Sequence, residues 1–159
     1  MVQVKIILNG KEIEKEIPSQ ITLYEYLKDQ YISSIKAACH HGDCGLCTVI
    51  MDDKLVKSCL VLAVEASNST ITTLEGLNDD PVTTIVKRKF EQNHAVQCGY
   101  CTPAFILAAV TLLKSKQEKN EDLSHEEILE SINGILCRCT GYKQIIDSMM
   151  EASLEVSQI

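Results

Sequence analysis

The sequence predicts an α+β fold, with a small sheet covered by one helix over residues 1–78 and an all-helical part of four helices over residues 79–159. Three observations carry this prediction. Apolar residues recur at every second position in the first part, the period turns helical from Asp80 onward, and the eight cysteines fall four in each part.

Val2, Val4, Ile6 and Leu8 alternate along a first strand. Asn9-Gly10 then supplies a two-residue hairpin turn, and Ile13 and Ile17 line one face of the return strand. Leu23, Tyr24 and Leu27 at helical spacing place a short helix over residues 22–29. Thr48 to Met51 and Lys54 to Val56 form a second hairpin around Asp52-Asp53, and Ile71 to Thr73 add a short strand. In the second part Asp80 caps a helix with Pro81 at its first position, and Val82, Ile85, Val86 and Phe90 form its apolar face. Thr102-Pro103 opens a second helix, apolar on nearly all sides from Phe105 to Leu113, which belongs at the centre of the bundle. The charged run Lys114 to Asp122 reads as a solvated loop. Ser124 and Glu127 make a capping box for a third helix bearing Ile128, Leu129 and Ile132, with Gly134 at its end. A fourth helix starts at Thr140, with Tyr142, Ile145, Ile146, Met149 and Met150 on one face.

Composition narrows the function. A formal net charge of -7 and the absence of tryptophan argue against a nucleic-acid surface and against an anionic membrane. The amino terminus turns polar after seven residues, and no apolar run reaches the roughly 20 residues of a membrane span. The expected location is therefore the cytoplasm, where dense cysteine signals metal or redox chemistry more often than disulfides. No G-x-G-x-x-G, P-loop or H-E-x-x-H motif is present, so no catalytic residue is expected in this chain.

Cys39, Cys44 and Cys47 follow the C-x4-C-x2-C spacing of a plant-type 2Fe-2S cluster, with Cys59 as the fourth ligand from beyond the hairpin. Gly42 and Gly45 suit positive φ angles that let backbone N–H groups approach the sulfurs. A four-cysteine zinc site, structural or redox-sensing, is the alternative; it usually presents two C-x2-C knuckles. His40 and His41 are read as polar loop residues, because four cysteines complete the ligand set without them.

Cys98, Cys101, Cys137 and Cys139 form a second set, C-x2-C then C-x-C, each pair immediately preceding an expected helix start. Two helix N-termini would then face one anionic cluster and favour added negative charge, raising its reduction potential. A thioredoxin-like pair at Cys98 and Cys101 would leave Cys137 and Cys139 unexplained. Arg138, between two of the ligands, either softens the local negative charge or joins a surface ion pair.

Three segments carry a resemblance: Cys44-Gly45-Leu46-Cys47-Thr48-Val49, Ala95 to Pro103 around Cys98-Gly99-Tyr100-Cys101, and Leu136-Cys137-Arg138-Cys139-Thr140-Gly141-Tyr142. Together they resemble the small iron-sulfur subunit of molybdenum hydroxylases, the xanthine dehydrogenase family. The resemblance implies a plant-ferredoxin-like β-grasp domain followed by a four-helix domain, each holding one 2Fe-2S cluster. It also implies a large molybdopterin-binding subunit next to the second cluster and an FAD-binding subunit or domain next to the first. Carried over by motif, Gln97 and Cys139 would contact the molybdopterin. Ala38, Ala104 and Ile135 depart from the family pattern, in which glycine, glycine and asparagine are usual, and none of them removes a ligand. The implied role is an electron-transfer subunit that passes electrons from molybdenum toward flavin or an external acceptor. A stand-alone ferredoxin-like carrier is the alternative, and it would not need the helical half.

Overall fold

A computed structural model describes residues 1–158. Strand β1 (Val2–Leu8) pairs antiparallel with β2 (Lys11–Ile17) through the Asn9-Gly10 turn, whose φ angles of 50° and 79° are both left-handed. That turn geometry matches the right-handed twist of the two strands, so the hairpin register is fixed locally. Helix α1 (Leu23–Asp29) starts at a capping box that the apolar pattern had not revealed. The Thr22 hydroxyl accepts from the Glu25 N–H at 3.2 Å while the Glu25 carboxylate accepts from the Thr22 N–H at 2.8 Å.

Strands β3 (Thr48–Met51) and β4 (Lys54–Lys57) form the second hairpin around Asp52 and Asp53, both at positive φ, and β5 (Thr70–Thr72) completes the sheet. The strand order is β2-β1-β5-β3-β4, with β5 parallel to β1 and antiparallel to β3. Val4, Ile6, Leu8, Val49 and Ile71 bury one face against Leu23, Tyr26 and Leu27 of α1, giving the first core.

Helix α2 (Pro81–Gln92) is capped by Asp80, whose carboxylate accepts from the Thr83 N–H at 2.7 Å. Helix α3 (Thr102–Lys119) is buried along most of its length from Ala104 to Leu113 and packs on α2, on α4 (His125–Ser131), on α5 (Lys143–Val156) and on β3 and β4. The second core therefore includes Cys44 and Leu46 of the sheet part beside Phe90, Phe105, Ile128, Ile145 and Met149.

Two boundaries differ from the sequence reading. Residues 114–119 are the last turns of α3, not a loop. Lysine, glutamine and glutamate are good helix formers, Asn120 ends the helix in a left-handed cap at φ 51°, and Lys114 reaches back to Asp80 at 2.5 Å. Helix α5 starts at Lys143 instead of Thr140, because Gly141 and Tyr142 both take positive φ, at 66° and 69°. Within the charged run, only residues 120–122 lie outside the helix. No helix among the described residues is long and apolar enough to cross a membrane.

Candidate metal centres

The loop between α1 and β3 folds back on itself because His40, Gly42 and Gly45 take φ angles of 58°, 94° and 67°. Cys39 and Cys44 meet with their sulfurs 3.3 Å apart, and the Cys44 N–H donates to the Cys39 sulfur at 3.3 Å. Cys59 comes from a single 3-10 turn, Ser58–Leu60, directly after β4. The Ser58 hydroxyl and N–H both donate to the Cys47 carbonyl, at 2.7 and 3.2 Å, which seats Cys59 against Cys47. Cys44, Cys47 and Cys59 are buried and Cys39 is half-buried.

The electrostatics divide the quartet. The Cys44 N–H, followed by the His41 N–H, brings Cys39 down to about 6, whereas burial and the neighbouring Cys47 push Cys59 up to about 11. The histidines are engaged elsewhere. His41 lies 3.3 Å from Asp43, and the His40 ring stands edge-on to Tyr24 at 5.4 Å.

The second quartet sits where the loop after α2 meets the turn before α5. Cys98 and Cys139 are exposed with sulfurs 3.6 Å apart, and the half-buried Cys101 lies against Cys137. Cys101 occupies the cap position of α3, so one helix N-terminus faces this site as expected. The second does not, since α5 begins beyond Cys139. A turn replaces it. The Thr140 N–H donates to the Cys137 sulfur at 3.4 Å, its hydroxyl lies 3.1 Å away, and the Tyr142 hydroxyl accepts from the Cys137 N–H at 3.0 Å.

Burial opposes ionisation of Cys137, but the Thr140 hydroxyl and N–H outweigh it and hold the thiol below its usual range. The Tyr100 N–H, together with Cys139, likewise lowers Cys98, while Cys139 itself is raised by sharing a proton with Cys98. Burial, reinforced by Cys137, pushes Cys101 up to about 12. Gln97 is exposed beside Cys98; Arg138 is exposed too, with no carboxylate within 4 Å among the described residues.

In both sites the sulfurs approach in twos, and among the described residues no three cysteine, histidine, aspartate or glutamate side chains gather as a single ion requires. Two sulfur pairs with N–H donors that favour the thiolate form suit a 2Fe-2S cluster, in which each iron takes two thiolates.

The two sites are joined. The Leu136 N–H, one residue before Cys137, donates to the Cys44 carbonyl at 2.9 Å, and the Tyr100 hydroxyl donates to the Ala37 carbonyl at 3.3 Å. A Cβ on Gly45 would stand 2.0 Å from the Gly134 carbonyl oxygen, so the two ligand loops touch backbone to backbone. Sequence reasoning missed this junction, the Tyr142 and Thr140 hydrogen bonds at Cys137, and Lys57, whose ammonium donates to the Gly42 carbonyl at 2.6 Å. Tyr142 had signalled only an apolar face, and nothing in the spacing marks Lys57.

Comparison with known proteins gives two adjoining matches: a 2Fe-2S iron-sulfur cluster binding domain over residues 6–76 and a 2Fe-2S binding domain over residues 73–150. The nicotine 6-hydroxylase small subunit of Paenarthrobacter nicotinovorans is 38% identical over 152 residues, covering 95% of this chain and 89% of that one. The xanthine dehydrogenase iron-sulfur-binding subunit of Escherichia coli O157:H7 is 35% identical over 150 residues, covering 94% and 93%. A crystal structure of quinoline 2-oxidoreductase from Pseudomonas putida 86 superimposes with a TM-score of 0.88 at 32% identity, covering 99% of this chain and 96% of that one.

Proposed function

Because this chain belongs to the family of small iron-sulfur subunits of molybdenum hydroxylases, the xanthine dehydrogenase family, we propose that it is the electron conduit of such an enzyme. Electrons released at a molybdopterin site in a large partner subunit would cross this chain toward FAD in another subunit or an external acceptor. Cys98, Cys101, Cys137 and Cys139 are the ligand set on the molybdenum side, and Cys39, Cys44, Cys47 and Cys59 the set on the flavin side. Each set would hold one 2Fe-2S cluster, which supplies a one-electron redox centre.

The observation that carries this reading is the Leu136–Cys44 hydrogen bond, because it links a member of one quartet to the residue next to Cys137 of the other. Around it the chain does three things. It pairs the thiols, it aims N–H donors at Cys39 and Cys137, and it buries Cys44, Cys47 and Cys59 away from water. Exposure of Cys98, Cys139 and Gln97 supports contact of that face with the molybdopterin, with Cys139 and Gln97 as the touching residues.

We assign residues 1–78 and 79–159 to two domains, supported by the two separate cores, and place the protein in the cytoplasm. The substrate pocket belongs to the large subunit. Nicotine, xanthine and quinoline, the compounds in the names of the three relatives above, are nitrogen heterocycles, and that is the substrate class we assign.

Affinity isolation of the tagged chain from its native host tests the proposal. It should recover a large molybdenum-containing polypeptide and a flavin-containing one. Recovery of the chain alone would favour a stand-alone ferredoxin-like carrier.

A further inference from the structure

We propose that Lys57 is a positioning residue of the N-terminal site and that its charge raises the reduction potential of the centre held by Cys39, Cys44, Cys47 and Cys59. The inference rests on the ligand assignment above. Lys57 is the last residue of β4, two before Cys59, and its side chain turns into the ligand loop instead of out to water. Its ammonium donates to the Gly42 carbonyl at 2.6 Å and lies at the junction with the helical part, 3.1 Å from where a Cβ on Gly134 would stand. It is half-buried, and no carboxylate lies within 4 Å of it among the described residues. With no acidic partner to offset it, this charge acts on the thiolates of the same loop.

The bond to Gly42 does more than place a charge. The Gly42 carbonyl and the Asp43 N–H belong to one peptide unit. In the same loop the Cys44 N–H donates to the Cys39 sulfur at 3.3 Å. An ammonium on the Gly42 carbonyl fixes the loop that aims this N–H at sulfur and adds a positive charge beside it. Both effects favour the more negative, reduced state of the centre. Among the described residues the C-terminal quartet, whose donors come from Thr140 and Tyr100, has no such cation bonded into its loops.

The test is potentiometric EPR on the intact complex, comparing wild type with Lys57→Met, Lys57→Gln and Lys57→Arg at matched iron content. In Lys57→Met the reduced-to-oxidised ratio of the N-terminal centre at fixed potential should fall about tenfold, a shift of ~59 mV for one electron. The C-terminal centre should stay in place. Lys57→Gln, which keeps a donor without the charge, should fall in between, and Lys57→Arg should restore the wild-type potential. An unchanged N-terminal potential in Lys57→Gln with its iron retained would overturn the proposal, even if Lys57→Met loses its iron. Wild-type protein lacking the N-terminal signal would instead overturn the ligand assignment, and this inference with it.

Discussion

At the scale of single residues, Gly45 shows how a correct expectation can rest on half of its cause. Its spacing beside Cys44 predicted a positive φ, and φ is 67°; nothing in the spacing signalled that the Gly134 carbonyl oxygen occupies the space a Cβ would need. Gly99, also inside a ligand loop, has φ 80° and nothing within 4 Å of a Cβ. Gly45→Ala should therefore cost about 3 kcal/mol or more in urea unfolding, since strain and overpacking add. Gly99→Ala should cost only the left-handed strain of about 1–2 kcal/mol. Equal losses would show that the contact between the ligand loops bears no weight. The meeting of Cys39 with Cys44 was legible because their spacing is a short-range pattern. Lys57, Thr140 and the Tyr142 hydroxyl were not, because their partners are set by how loops fold.

At the scale of elements, local chemistry decided most boundaries, and the sequence reading failed where an element depends on distant partners or on φ. Asp80 with Pro81, and Ser124 with Glu127, announced two helix starts correctly. The charged end of α3 was misread as loop because charge was taken for solvation. In the fold Lys114 meets Asp80, and Lys116 meets Glu127 at 2.5 Å and Glu121 at 3.0 Å. Asp80 thus caps α2 and anchors the far end of α3 at once. Asp80→Ala should lower stability by about 1–2 kcal/mol, read as a shift in the urea midpoint with unchanged slope. An effect below a few tenths would mean that neither the cap nor the ion pair contributes. The late start of α5 could not be read, since a Thr-Gly-Tyr run gives no sign that Tyr142 will accept a left-handed φ to place its hydroxyl under Cys137.

At the scale of the whole molecule, the sheet core and the helical core meet at the ligand loops, and Glu75 fastens the approach to the first site. Its carboxylate accepts from the Ser34 N–H at 2.8 Å, the Ser33 N–H at 3.0 Å, and the Ser34 and Thr73 hydroxyls at 2.6 Å each. Burial opposes its charge, but these donors win and hold it at about 2, below its ordinary 4.5. The sign follows from linkage. A lowered folded-state value gives stability that is fully present above about 4.5 and is lost as pH falls from there toward about 2. Acid unfolding of wild type should show that loss, and Glu75→Gln should flatten it while lowering stability near neutral pH by about 2 kcal/mol. An identical acid profile in the variant would remove Glu75 from the account. The α+β division was legible in the sequence; the contact between the two cysteine sites was not, because it joins residues far apart in sequence through the Leu136–Cys44 and Tyr100–Ala37 hydrogen bonds.

The claim beneath all of this is that each quartet grips its own di-iron centre. Spin-quantified EPR of the anaerobically purified, fully reduced protein tests it most directly. We expect two separable signals integrating to about two spins per polypeptide, one from each cluster, with Cys59→Ser altering only one of them. No signal, or a single signal abolished by changes in either quartet, would contradict it.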